Sequence, residues 1–203
     1  MRKIGITAIG LTMLAATGAP PSASGGIGAQ DRELACITMN TDRLPLDSRS
    51  SPLDSVSFSI QNSPVKVCYG RPAARGREIF GGLLPYGKLW RTGANEPTMI
   101  HTSLALSIAG IEVEPGSYSL YTVPGESEWE IIVNRSTAQW GHEGSYESVS
   151  AQEVGRAKAK PEATEGKVEV FTIRAEPTET GGATIVLEWE RTRVEIPVGA
   201  SGA

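Results

Sequence analysis

The chain is poor in the residues on which much protein chemistry depends. It has two cysteines and two histidines in 203 residues. That excludes a disulfide-dense scaffold and any four-thiolate zinc site. No H-E-x-x-H or close histidine pair exists, so His101, within a strand candidate, is read as a surface or hydrogen-bonded residue and no metal or other cofactor is expected, while His142 falls in a loop with Trp140 among residues of the kind that bind polar ligands. The G-x-S-x-G elbow of serine hydrolases is missing, and so are the glycine loops that cradle phosphates. Basic residues are outnumbered, 19 against 23, for a formal charge of −4, which argues against a nucleic-acid partner. The one long apolar run, Ile4 to Ala16, is short for a membrane span. Aromatic residues are also sparse: all twelve lie between Phe58 and Trp189.

The apolar run instead fits a secretory signal. Arg2 and Lys3 form a positive start, and small residues follow, with cleavage expected after Ser24. A lipoprotein reading fails because Asp31, Arg32 and Glu33 separate the apolar run from Cys36. The expected mature protein carries −6 and no membrane span, and it is exported to a periplasm or beyond. In such an oxidising space Cys36 and Cys68 either pair or remain two separate thiols. Residues 25–51 lack aromatics and any apolar period, and read as a linker or disordered arm. The folded domain is expected over 52–198, with a tail at 199–203.

Within the domain the apolar period is two. Leu104, Leu106 and Ile108 alternate with Ala105 and Ser107, and Trp129, Ile131 and Val133 with Glu130, Ile132 and Asn134; Ile185, Leu187 and Trp189 alternate with Val186, Glu188 and Glu190, and Val194 and Ile196 with Arg193 and Glu195. Each set places one face of a strand in a core. Further strands are expected at Val56–Ile60, Val65–Tyr69, Met99–Ser103, Ser117–Val123 and Val168–Arg174, and an edge strand at Arg156–Lys160, whose charges blunt an edge. Pro115-Gly116, Pro124-Gly125 and Gly181-Gly182 mark turns. Gly and Pro together are abundant, 23 and 13 residues. The expected fold is mostly β: an antiparallel sandwich, jelly-roll-like, with long loops.

One segment departs from this pattern. Pro64 to Ala94 holds Lys66, Arg71, Arg75, Arg77, Lys88 and Arg91 against Glu78 alone. Such an island can focus a field on an anion, or its arginines can pair with the carboxylates that dominate elsewhere. Around it run Tyr69-Gly70-Arg71-Pro72, Arg75-Gly76-Arg77, Ile79-Phe80-Gly81-Gly82-Leu83, Pro85-Tyr86-Gly87-Lys88 and Trp90-Arg91-Thr92-Gly93-Ala94-Asn95-Glu96. Later come Gly116-Ser117-Tyr118, Trp140-Gly141 and Leu187-Glu188-Trp189. These words resemble the exported bacterial family known as domain of unknown function 2911, over about residues 51–198. The resemblance implies a mostly β domain behind a signal peptide, and it brings no activity. The chain departs from the family where an Asp often precedes the position of Arg156: here the stretch reads Gln152-Glu153-Val154, and any role of that carboxylate falls to Glu153 or is lost.

Three functions follow as expectations. The first is binding of a small polar ligand, a carbohydrate, an anion or a cell-envelope glycan, through Arg71, Arg77, Trp90, Arg91, Asn95 and Glu96, with Tyr118 and Trp140 as walls. Aromatic faces and guanidinium or amide groups are the mixture such sites use. The second is a hydrolase using Glu96 as acid or base, although Glu96 can equally neutralise an arginine. The third is a non-catalytic interaction module. Trp129 and Trp189, on alternating apolar faces, are expected in the core.

Overall fold

Strands form at each place where the alternation predicts one, while the short strand Ile111–Val113 and the first seven residues of Pro161–Pro177 were not expected. A computed structural model describes residues 34–141 and 143–202, together with Met1. The expected signal segment (its first residue aside), its cleavage point and His142 lie outside the described residues. The elements below all belong to one compact unit, Arg32–Ala203. They are β1 (Leu53–Ile60), β2 (Ser63–Gly70), β3 (Thr98–Thr102), β4 (Leu106–Ile108), β5 (Ile111–Val113), β6 (Gly116–Val123), β7 (Trp129–Asn134), β8 (Glu153–Ala159), β9 (Pro161–Pro177) and β10 (Ala183–Ala200). A 3-10 helix, Glu143–Gln152, joins β7 to β8.

Two antiparallel sheets result, one of six strands in the order β1-β2-β3-β6-β7-β8 and one of four in the order β5-β4-β10-β9. They face each other as the expected sandwich. Val65, Val67 and Tyr69 of β2 and Ile131 and Val133 of β7 meet Leu106, Ile108, Ile185 and Leu187 in one buried cluster. Each such side chain contributes roughly 1.5–3 kcal/mol by leaving water. The lysine- and arginine-bearing strand, β8, is an edge of the six-stranded sheet, as its charge pattern predicts.

Two features of the strands are sharper than the pattern suggested. Ile185, Leu187 and Trp189 are buried on odd numbers, while Val194, Ile196 and Val198 are buried on even ones. A single strand carries both sets because its register slips between Glu188 and Glu190 and again between Glu190 and Thr192, with Glu190 at φ 55°. A bulge of this kind flips which residues face the core. The tight turn from β1 to β2 is Gln61-Asn62, both at positive φ (50° and 63°), the backbone that a two-residue hairpin needs.

The expected disordered arm is docked over its described part, residues 34–51. Cys36 and Cys68 form a disulfide, with Cα atoms 5.7 Å apart. Cys68 alternates with the inward Val67 and Tyr69, so the arm is tied to the outer face of the six-stranded sheet. Arg49 is buried against Glu96. The segment has no apolar stripe because it docks through a covalent bond and a buried ion pair, neither of which needs one. At the other end, β10 runs on to Ala200, and Ser201 N–H donates to Ala105 O at 3.0 Å, so little of the expected tail is free of the sheet.

Candidate functional site

The basic island lies mainly in the chain between β2 and β3, which crosses one end of the sandwich as a cap. Its path is set by main-chain bonds at both sheets. Phe171 N–H donates to Pro72 O (2.9 Å) and Ala74 N–H to Glu169 O (2.7 Å), so the cap starts as an extra rung on β9. It ends on β6, where Trp90 and Thr122 exchange N–H···O bonds of 2.7 and 2.9 Å. Gly70 permits the crossing: a Cβ there would collide with the carbonyl of Ala94.

Aromatic side chains plug this end of the core. Phe80 packs edge-on to Trp129 at 4.9 Å, and Trp90 lies near-parallel to Trp189 at 5.8 Å. Trp90 is buried, and its Nε1–H donates to Gly93 O at 3.0 Å. Trp129 and Trp189 are core residues, as expected.

Above the plug is an open cavity of about 390 Å³. Its charged lining is Arg75, Arg77 and Arg91, and among the described residues no carboxylate lines it. Ser50 and Ser51 of the arm form one wall, and Leu83 and Leu84 another. Gly93, Ala94, Pro72 and Ala73 keep the remaining lining small, and Trp90 and Trp189 reach its floor.

Arg75 and Arg77 are held by carbonyl oxygens. Arg75, at φ 52°, turns its Nη2 to Ser50 O at 3.3 Å. Arg77 folds back, Nε to Ala74 O (2.9 Å) and Nη2 to Ala73 O (2.8 Å). Arg91 donates from Nη1 to Gly141 O. Two carboxylates reach this stretch from the four-stranded sheet, and both accept from main-chain N–H groups instead. Glu169 Oε1 takes Arg75 N–H (2.6 Å), and Glu190 Oε2 takes Ile79 N–H (2.9 Å). Carbonyls orient a guanidinium without neutralising it.

The structure divides the residues singled out from sequence. Arg77, Trp90 and Arg91 line the cavity together. Arg71 turns the other way, to Asp54 (3.1 Å), Phe171 O and Thr172 Oγ1, and fastens β1 to β9. Asn95 and Glu96 sit behind the cavity and hold the arm. Asn95 Nδ2 donates to Ser51 O at 2.9 Å. Glu96 is buried with Oε2 on Arg49 Nη1 (2.8 Å) and Oε1 on Met39 N–H (2.7 Å) and Arg49 Nη2 (3.1 Å). A carboxylate with both oxygens so held has no approach for a substrate, which removes the motive for Glu96 as acid or base. Trp140 covers the same pair, its ring 5.3 Å from the Arg49 guanidinium carbon. Tyr118 is a core residue with its hydroxyl on Glu114 O (2.9 Å), away from the cavity.

Sequence reasoning missed Arg75, Ser50, Ser51 and Arg49. Arg75 was in the island and could have been named from its charge; the arm residues carried no signal. Elsewhere, Glu153 grips Arg156 with bonds of 2.6 and 3.0 Å and accepts Tyr146 OH at 2.7 Å. The Arg156 bonds hold the Glu153 carboxyl below its usual range, and burial pushes the Tyr146 hydroxyl up to about 12. Glu153 thus has a partner in Arg156, the residue near which the family often carries an Asp. His101 Nδ1 meets Ser117 Oγ at 2.8 Å, and burial lowers its pKa. Among the described residues no group of three or more His, Cys, Asp or Glu is placed to hold a metal ion.

No curated protein and no solved structure shows significant similarity to the chain. The model of one family, described as "Protein of unknown function (DUF2911)", matches residues 51–198. The match runs from the cavity wall at Ser51 through the cap and both sheets, so the chain belongs to that family.

Proposed function

We propose that the protein binds a small anion in the cavity of the cap. The observation that carries this reading is the charge of the rim. Arg75 and Arg77 line a concave site without a carboxylate, and their side-chain partners among the described residues are carbonyl oxygens. Guanidinium groups donate and never accept. A sugar hydroxyl both donates and accepts and gains little from such a rim. A carboxylate, phosphate or sulfate accepts only, and it forms the charge-assisted bonds that are strongest. The anion half of the expected ligand class therefore fits better than the carbohydrate half, and an envelope glycan fits through its acidic groups. The cavity volume is at the lower end of the range for small-molecule sites.

The same reading places the protein outside the cytoplasm. Its supports are the basic and apolar start of the sequence and the Cys36–Cys68 disulfide, which persists best in an oxidising space.

Thermal unfolding against a panel of carboxylates, phosphate, sulfate and neutral sugars tests it. A ligand at 100 times its Kd adds about 2.7 kcal/mol, roughly 5–10 °C for a domain of this size. Anions are expected to raise Tm, and Arg75→Gln with Arg77→Gln to abolish the rise. A rise with neutral sugars that survives the double substitution overturns the reading.

A further inference from the structure

We infer that the anion is a small phosphate monoester, a doubly charged head on a compact organic body. The inference rests on the cavity being an anion site and goes on to name the class.

The head follows from a count of donors and charges. A guanidinium has five N–H donors. Arg75 uses one, on Ser50 O, and Arg77 uses two, on Ala74 O and Ala73 O. Four and three remain, more than the two oxygens of one carboxylate absorb. Neither guanidinium is bonded to a carboxylate among the described residues: Glu169 and Glu190, which come near, accept from main-chain N–H groups. Arg91 adds a third guanidinium to the lining. Two guanidiniums without a carboxylate partner among the described residues suit a doubly charged head better than a singly charged one. A phosphate monoester carries about −1.5 to −2 at pH 7 and presents three strong acceptors. Guanidinium and phosphate also match in bidentate geometry.

The body follows from the remaining lining. A cavity of about 390 Å³ exceeds what a bare oxyanion fills. Leu83, 45% exposed, and Leu84 add apolar lining to the cavity beside the arginines. Ser50 and Ser51 offer hydroxyls to a polar substituent. A compact ring or short chain, rather than a long acyl tail, suits these dimensions.

The experiment uses a pair of probes with one shape and two charges. Phenyl phosphate is a dianion near pH 7.5, and phenyl sulfate is a monoanion at any pH. Calorimetric titration of the disulfide-bonded protein is run with both, and with inorganic phosphate, succinate and benzoate. The proposal expects phenyl phosphate to bind at least about tenfold tighter than phenyl sulfate at pH 7.5, or about 1.4 kcal/mol. The gap closes by pH 5, below the second ionisation near pH 6. It is lost in Arg75→Gln/Arg77→Gln with Tm unchanged, and partly kept in Arg75→Lys/Arg77→Lys. Equal binding of the two phenyl esters overturns the dianion while the anion site stands. Inorganic phosphate as tight as phenyl phosphate overturns the monoester, and succinate tighter than phenyl phosphate overturns it in favour of a dicarboxylate. If none of the five binds, the anion site itself fails.

Discussion

Arginines meet two different fates in this molecule. On the outer face of β9 and β10, Arg174 and Arg193 are closed into a network with three carboxylates. Arg174 reaches Glu188 (3.1 Å) and Glu176 (3.3 Å), and Arg193 reaches Glu188 (3.1 Å), Glu176 (3.2 Å) and Glu195 (2.6 Å). In the cap, the side chains of Arg75 and Arg77 meet carbonyls among the described residues. The acidic residues that come near are taken by backbone amides. An acidic chain had carboxylates to offer, and the fold directs them elsewhere. The first region pairs its guanidiniums with carboxylates; in the second they meet carbonyl oxygens, which is what the proposed anion site rests on.

The largest effect should come from a third kind of arginine, the buried Arg49. Arg49→Ala strands the buried Glu96 and should cost about 3–5 kcal/mol in urea unfolding. Adding Glu96→Gln should recover part of it; no recovery would mean that packing rather than charge carries the effect. Next is the disulfide, which closes across a sequence separation of 32. Cys36→Ser with Cys68→Ser should cost about 3–4 kcal/mol, read as Tm with and without reductant. Arg193→Ala is smaller, about 0–1 kcal/mol, because its partners are partly exposed. Its contribution should shrink in high salt. The Arg174 bonds hold the Glu188 carboxyl below its ordinary 4.5. That share of stability is full above pH 4.5 and is lost as pH falls through the lowered value. The smallest effect on stability, within about 0.5 kcal/mol, is expected for Arg75→Gln with Arg77→Gln. If that pair instead unfolded the domain as Arg49→Ala does, the contrast between the two regions would collapse.

Much of the architecture was legible because a sheet writes its face into the sequence at period two. Even the β10 bulge is visible in retrospect, as a phase change between Trp189 and Val194. The β1–β2 turn was not, since Gln61 and Asn62 adopt positive φ without a glycine to announce it. Of the site, the basic island was visible from charge alone. The possibility that Glu96 neutralises an arginine was also on the page, but its partner was not. Arg49 lies 47 residues away in a stretch without periodicity, and only the folded chain brings the two together. Trp90, with polar neighbours and glycines around it, stands in both places: it is buried in the core and it reaches the floor of the cavity. Its neighbours satisfy the backbone of a cap, while the ring itself closes the core.

The place of β10 has a consequence for the order of assembly. It is the last strand in sequence and an inner strand of its sheet, paired with β4 on one side and β9 on the other. Val198 pairs with Ile108, some ninety residues earlier. Until the eighteen residues of β10 are available, β4 and β9 have no common partner and present bare edges. Such distant pairing is slow to form. A chain cut short by its last twenty residues should therefore fail as a whole and aggregate through those edges, instead of leaving a trimmed domain with the cap still formed.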